Sequence, residues 1–99
     1  MKSNFKSIIE AQTPVLVDFF ADWCGPCKAL APILKEVKAS LGDQVKIVKI
    51  DVDKNQPLSQ EFQVRGVPTL ILFKSGKPVW RQSGVVPKEQ LLQTIQQYF

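Results

Sequence analysis

An apolar run that leads into a long amphipathic segment is the feature of this sequence that most restricts its fold. Residues Val15 to Phe20 are apolar on both faces apart from Asp18, which is typical of a central strand covered by helices on each side. The segment from Gly25 to Leu41 repeats apolar residues at helical spacing and is followed by Gly42, a common helix terminator. A second strand, Val45 to Val52, should lie parallel to the first through a right-handed crossover.

The second half of the chain predicts a short helix, a β-hairpin and a final helix. The short helix begins at Asn55 and Pro57 and ends near Phe62, and the final helix begins at Pro87. The hairpin strands are predicted over Thr69 to Phe73 and Val79 to Ser83. We therefore expect a single α/β domain over residues 1-99, with a central mixed four-stranded sheet and helices on both of its faces.

Composition excludes several classes of protein and site. The longest apolar run is far shorter than the roughly 20 residues that a bilayer span needs, so no membrane segment is expected. The amino-terminal residues contain no apolar stretch typical of an export signal, which predicts a cytoplasmic location. With 2 Cys and no His, a tetrahedral zinc site is not expected, and we predict no bound metal or other cofactor. The 13 basic residues are scattered, so we predict no nucleic-acid partner. We also expect the protein to be a monomer.

The two cysteines, Cys24 and Cys27, lie between the buried strand and the start of the long helix. A thiolate at the helix N-cap would accept hydrogen bonds from the first turn, which should lower the pKa of Cys24 below that of free cysteine. Cys27 falls on the buried stripe of the helix, whereas Cys24 lies beyond the helix end. We therefore expect Cys24 to be the exposed nucleophile and Cys27 to be the buried resolving thiol.

A purely structural disulfide is the alternative interpretation of this pair. Closing a loop of four residues stabilises a fold by only about 1.9 kcal/mol, compared with about 3 kcal/mol for fifteen residues. A chain of 99 residues can bury a sufficient core without such a crosslink. Redox chemistry is therefore the favoured interpretation.

Several short motifs in this sequence resemble those of the thioredoxin family, in the order in which they occur there. They are Val17-Asp18-Phe19, Ala21-Asp22-Trp23-Cys24-Gly25-Pro26-Cys27-Lys28, Ala31-Pro32, Lys49-Ile50-Asp51-Val52-Asp53, Arg65-Gly66-Val67-Pro68-Thr69 and Gly84. The resemblance implies a protein-disulfide reductase whose partners are disulfide-containing client proteins and thioredoxin reductase, with NADPH as the indirect source of electrons. The uncharged Gly25-Pro26 pair favours a reductant over an oxidase.

The resemblance also implies roles for residues outside the cysteine motif. Asp18, whose pKa should be raised by burial, would exchange a proton with Cys27, and Lys49 would be its charge partner. Pro68 would follow a cis peptide bond, leaving the backbone of Val67 to pair with an extended client. An apolar docking rim around Cys24 would consist of Trp23, Gly25, Pro26, Val67, Pro68, Gly84 and Val85.

The sequence departs from the family pattern at three places. Ser83 precedes Gly84 where an apolar residue is usual, and Phe20 replaces a frequent tryptophan. The usual first strand of five is missing, so the strand from Val45 to Val52 should be a sheet edge protected from self-pairing by Lys46 and Lys49. Two alternative functions stay open: a redox-silent binding subunit with this fold, and a thiol oxidase or isomerase if the protein is exported.

Overall fold

Within residues 2–99, which the computed structural model describes, the chain forms four α-helices and four β-strands, and the elements after the first helix follow one another in the predicted order. The elements are α1 (Lys2–Ile9), β1 (Val15–Phe20), α2 (Gly25–Leu41), β2 (Lys46–Asp51), α3 (Gln56–Glu61), β3 (Thr69–Lys74), β4 (Lys77–Ser83) and α4 (Lys88–Gln96). The predicted bounds of β1 and α2 are confirmed. Helix α4 ends at Gln96, and Tyr98 beyond it still packs on the core and donates a hydrogen bond to the Val79 carbonyl.

The four strands form one mixed sheet in the spatial order β2-β1-β3-β4. β1 is parallel to β2 and antiparallel to β3, and β3 is antiparallel to β4. In the described part of the chain β2 is therefore an edge strand, as predicted, and the side chains of Lys46 and Lys49 on it are exposed. The α/β class and the four-stranded mixed sheet are confirmed.

Alternation along the central strands sends side chains into two apolar layers. The layer beneath α2 and α4 contains Leu16, Leu30, Leu34, Val37, Leu70, Leu72, Leu91 and Ile95. The opposite layer, beneath α1 and α3, contains Phe5, Ile9, Val15, Val17, Phe19, Leu58, Ile71 and Phe73. Since Asp18 alternates with Val17 and Phe19 and shares the parity of Leu16, its carboxyl group lies on the α2 side of the sheet.

Three chain segments meet at the end of the sheet where β1 finishes. β1 leads into α2 at this end, and β3 begins here because it is antiparallel to β1. β4 ends here because it is antiparallel to β3. This topology places Cys24, the Val67-Pro68 segment and Gly84 on neighbouring loops.

Truncating a side chain in the apolar layer beneath α2 and α4 should cost much of the stability of this fold. Leu72 is fully buried on β3, so Leu72→Ala should lower the free energy of unfolding by about 2 to 5 kcal/mol through lost burial and a cavity. Guanidinium unfolding of the oxidised protein measures this loss. Leu92→Ala, at a partly buried position on α4, is the matched control and should cost clearly less. Equal losses for the two variants would contradict the assigned core.

Candidate active site

Cys24 occupies the N-cap position of α2, as the sequence predicts. Its backbone is extended, with φ −90° and ψ 110°, and the Cys27 N–H donates a hydrogen bond to the Cys24 Sγ at 3.1 Å. Pro26 lies in the first turn, where its missing N–H removes no intrahelical hydrogen bond. The free N–H groups and the positive end of the helix dipole both favour negative charge on this sulfur.

Cys24 and Cys27 are joined by a disulfide, and their Cα atoms are 5.3 Å apart. The predicted contrast in exposure is wrong for this oxidised state, because Cys24 is only 3% exposed and Cys27 is 5% exposed. Helical projection places Cys24 beyond the buried stripe, but it takes no account of neighbouring segments that cover the pair. Cys24 and Cys27 form a buried cluster with Ala21, and Phe20, Val52 and Val67 pack against that cluster. The two sulfurs differ instead in position at the helix end, since Cys24 Sγ is the one that accepts the cap hydrogen bond.

The predicted docking residues lie on the loops near the disulfide and in the first turn of α2, and they differ in how much surface they offer. Trp23 is 71% exposed and Val85 is 43% exposed, and Gly25 and Pro26 are also exposed. Trp23 therefore presents the largest apolar surface next to the cysteines.

The remaining rim residues are closer to the core. Val67 and Gly84 are partly buried, and Pro68 is buried. The Val67-Pro68 peptide bond is cis, as the resemblance implies, and the Gly84 N–H donates a hydrogen bond to the Pro68 carbonyl at 2.8 Å. Gly84 has φ 94°, a conformation that favours glycine. The glycine loop and the cis-proline loop are thus held together as one surface.

Asp53 is a site residue that sequence reasoning missed. Its Oδ2 accepts a hydrogen bond of 3.0 Å from Trp23 Nε1, which fixes the indole ring beside the cysteines. The Asp53 N–H in turn donates to Asp51 Oδ1 at 2.9 Å, in a turn at the end of β2. The Asp-Val-Asp run at the end of the predicted strand is a signal for this turn, but the sequence does not show that the turn reaches Trp23.

Asp18 is a buried carboxyl group without a hydrogen-bond partner in the described chain. It is 1% exposed, and neither of its carboxyl oxygens has a hydrogen-bond partner in the described chain. Burial raises the pKa of Asp18 from 3.8 to about 6, and the positive charge of Lys49 offsets part of the rise. The side chain can therefore gain or lose a proton close to neutral pH.

Lys49 lies opposite Asp18 in the parallel ladder but is not hydrogen-bonded to it. Its Nζ lies 4.9 Å from the centroid of the Phe20 ring, in a cation–π contact. Lys49 and Cys27 both line a pocket of about 170 Å³, together with Phe20 and Ala31. Lys49 thus acts on Asp18 through space, on the side of the sheet that carries Cys27.

Neither a metal centre nor a membrane-spanning helix is found among the described residues. No group of three or more His, Cys, Asp or Glu side chains within residues 2–99 is placed to hold a metal ion. No helix in the same part of the chain has both the length and the apolar character to cross a bilayer.

The raised pKa of Asp18 predicts how stability should change with pH. The folded protein binds a proton on the Asp18 carboxyl group more tightly than the unfolded chain does. The contribution of this protonation to the free energy of unfolding is therefore complete below about pH 4 and is lost as the pH rises through about 6. Asp18→Asn removes this dependence. The free energy of unfolding of the variant, relative to the wild type, should rise by about 2 to 3 kcal/mol between pH 4 and pH 8.

Denaturant unfolding of the oxidised proteins at several pH values measures this difference. Asp43→Asn, which changes an exposed aspartate, is the matched control and should show no such trend. A difference between Asp18→Asn and the wild type that stays constant with pH would contradict the raised pKa.

Comparison with known proteins agrees with this geometry. A family model described as Thioredoxin matches residues 1–97. Thioredoxin Y, chloroplastic, of Oryza sativa is 46% identical over 95 residues, which make up 95% of this chain and 56% of that protein. A thioredoxin of Haemophilus influenzae is 45% identical over 97 residues, covering 97% of this chain and 91% of that protein.

Two further similarities concern a fusion protein and a solved structure. The bifunctional thioredoxin reductase/thioredoxin of Mycobacterium leprae is 45% identical over 93 residues, covering 94% of this chain and 20% of that protein. A mutant thioredoxin from Halobacterium salinarum has a solved structure that matches with a TM-score of 0.87 at 38% identity, covering 97% of this chain and 83% of that chain. The chain therefore belongs to the thioredoxin family and is a thiol-disulfide oxidoreductase, with the Cys24–Cys27 pair as its redox-active disulfide.

Proposed function

We propose that this protein reduces disulfides in client proteins, with Cys24 as the nucleophile and Cys27 as the resolving thiol. The observation that carries the proposal is the hydrogen bond from the Cys27 N–H to the Cys24 Sγ at the start of α2. When the disulfide is reduced, the same donor and the helix dipole favour the thiolate form of Cys24. A thiolate is the species that attacks disulfides.

The reaction proceeds through two exchanges that together move two electrons to the client. The Cys24 thiolate attacks one sulfur of the client disulfide, which forms a mixed disulfide and releases the other sulfur as a thiolate. Cys27 then loses its proton and attacks the Cys24 sulfur, which releases the second client thiolate and forms the Cys24–Cys27 disulfide. The client thiolates take up protons from the solvent.

Asp18 is the proposed acceptor of the Cys27 proton. Its pKa of about 6 lets it hold or release a proton near neutral pH, and it lies on the sheet face that α2 covers. The proposed role of Lys49 is to limit the rise in the pKa of Asp18. Its positive charge lowers that pKa although no hydrogen bond joins the two side chains. The pocket lined by Lys49 and Cys27 offers solvent a route to this region.

Client docking is assigned to the rim around the disulfide. The exposed indole of Trp23, oriented by Asp53, supplies apolar surface on one side of the cysteines. Val67 packs against the buried cluster that contains Cys24 and Cys27, and its backbone is proposed to pair with an extended client segment. A client bound in this way would bring its disulfide next to Cys24.

The proposed electron donor is a thioredoxin reductase that uses NADPH. A relative that joins both activities in one chain supports this pairing. The uncharged residues Gly25 and Pro26 favour the reducing direction, because they place no positive charge beside the thiolate. The cytoplasmic location stays a prediction, and a redox-silent or oxidising role is not favoured by the family comparison.

The proposal is tested by NADPH-dependent reduction of a disulfide-containing protein in the presence of thioredoxin reductase. The wild type should turn over, and Cys24→Ser should be inactive because no nucleophile reaches the client. Cys27→Ser should also fail to turn over but should accumulate a mixed disulfide with the client through Cys24, which mass spectrometry detects.

The outcomes separate the alternatives. A wild type that turns over no client would favour the binding module, and net oxidation of thiols would favour an oxidase. A mixed disulfide that forms through Cys27 in Cys24→Ser, but not through Cys24 in Cys27→Ser, would reverse the two assigned roles.

A further inference from the structure

A chain of hydrogen bonds links the end of β4 to the loop that carries Val67. Thr69 Oγ1 lies 2.6 Å from the Gly66 carbonyl oxygen and 2.9 Å from Ser83 Oγ. Thr69 and Ser83 are register partners in the antiparallel ladder between β3 and β4, so their side chains share one face of the sheet. The chain therefore runs from Ser83 through buried Thr69 to Gly66, next to the cis-proline segment.

The direction of each hydrogen bond in this chain follows from counting hydrogens. A hydroxyl group carries one hydrogen and can accept at two lone pairs. The Gly66 carbonyl can only accept, so the Thr69 hydroxyl must donate to it. Ser83 must then donate its single hydrogen to Thr69. Its oxygen is left with acceptor capacity and no hydrogen of its own to offer.

Ser83 lies next to the proposed docking surface along the chain. The residue is exposed and directly precedes Gly84, whose N–H donates a hydrogen bond to the Pro68 carbonyl at 2.8 Å. An apolar residue at this position, which the family pattern usually has, would offer no acceptor.

We infer that Ser83 determines client specificity by accepting a hydrogen bond from a client side chain that docks beside Val67. This inference rests on the proposed reductase function and adds the class of client residue that the rim selects. The selected residue carries a neutral donor, such as the amide of asparagine or glutamine.

The charge of the neighbouring side chain decides between neutral and cationic donors. Arg81 lies two residues earlier on β4, on the same face and about 7 Å away along the strand. Its guanidinium group is held at this face by hydrogen bonds to the Phe62 and Gln63 carbonyls. The positive charge disfavours a lysine or arginine of the client at Ser83.

The test uses pairs of disulfide-bridged peptides. The two members of a pair differ at a single position near the attacked cysteine, where one carries asparagine and the other leucine, and each pair varies a different position. The two residues are similar in size but differ in hydrogen-bonding groups. Reduction is followed with thioredoxin reductase and NADPH. At one position the wild type should prefer asparagine by about 3- to 10-fold in kcat/KM, mainly through a lower KM, as expected for one added neutral hydrogen bond.

Variants at Ser83 separate specificity from a general loss of activity. Ser83→Val removes the acceptor and suits a β-strand, so it should abolish or invert the preference for asparagine. Ser83→Thr keeps the hydroxyl and should keep the preference. Ser40→Ala, which alters an exposed serine on α2, is the matched control and should also keep it.

Two results would overturn the inference, and they differ in what else they affect. If the wild type reduces the peptides but shares its preferences with Ser83→Val at every position, Ser83 has no role in specificity and the reductase function stands. If the wild type reduces no peptide, the proposed function fails and the inference fails with it.

Discussion

The site depends on the unpaired backbone N–H groups at the start of α2. A helix leaves its first N–H groups without intrahelical partners, and here one of them, that of Cys27, donates to the Cys24 sulfur. This interaction makes two chemically identical side chains unequal, although they are almost equally buried when oxidised. It also explains the local sequence, since Pro26 can lie in the first turn without removing a needed hydrogen bond.

The rest of the fold brings the groups that work on this sulfur to the same place. In the mixed sheet, β1 and β4 end and β3 begins at the same end of the strands, which brings the loops of Cys24, Val67 and Gly84 together. Asp18 lies within the apolar sheet beneath α2, where its ionisation is costly and its pKa is raised. A cost in stability and a capacity for proton transfer thus arise from the same buried carboxyl group.

The elements that local patterns define could be predicted from the sequence. The continuous apolar run of β1 reflects burial on both of its faces, and the helical repeat of α2 reflects burial on one face. Both patterns therefore predicted the correct bounds. The cis bond before Pro68 came from the family resemblance alone, since most X-Pro bonds are trans.

Contacts between distant segments could not be predicted from local patterns. The burial of Cys24 depends on Val52 and Val67, and the Trp23–Asp53 hydrogen bond joins residues that are 30 positions apart. The Ser83–Thr69 pair requires the register of β4 against β3, and that register includes a shift between Leu72 and Phe73 that no sequence pattern indicated.

The most direct test is a titration of the reduced protein followed by the ¹³Cβ chemical shifts of both cysteines. Repeating it in Asp18→Asn separates thiol titration from that of the nearby carboxyl group. The account predicts that the pKa of Cys24 lies below about 8.5, the value for free cysteine, and below the pKa of Cys27. A Cys24 pKa at or above the free value, or above that of Cys27, would contradict it.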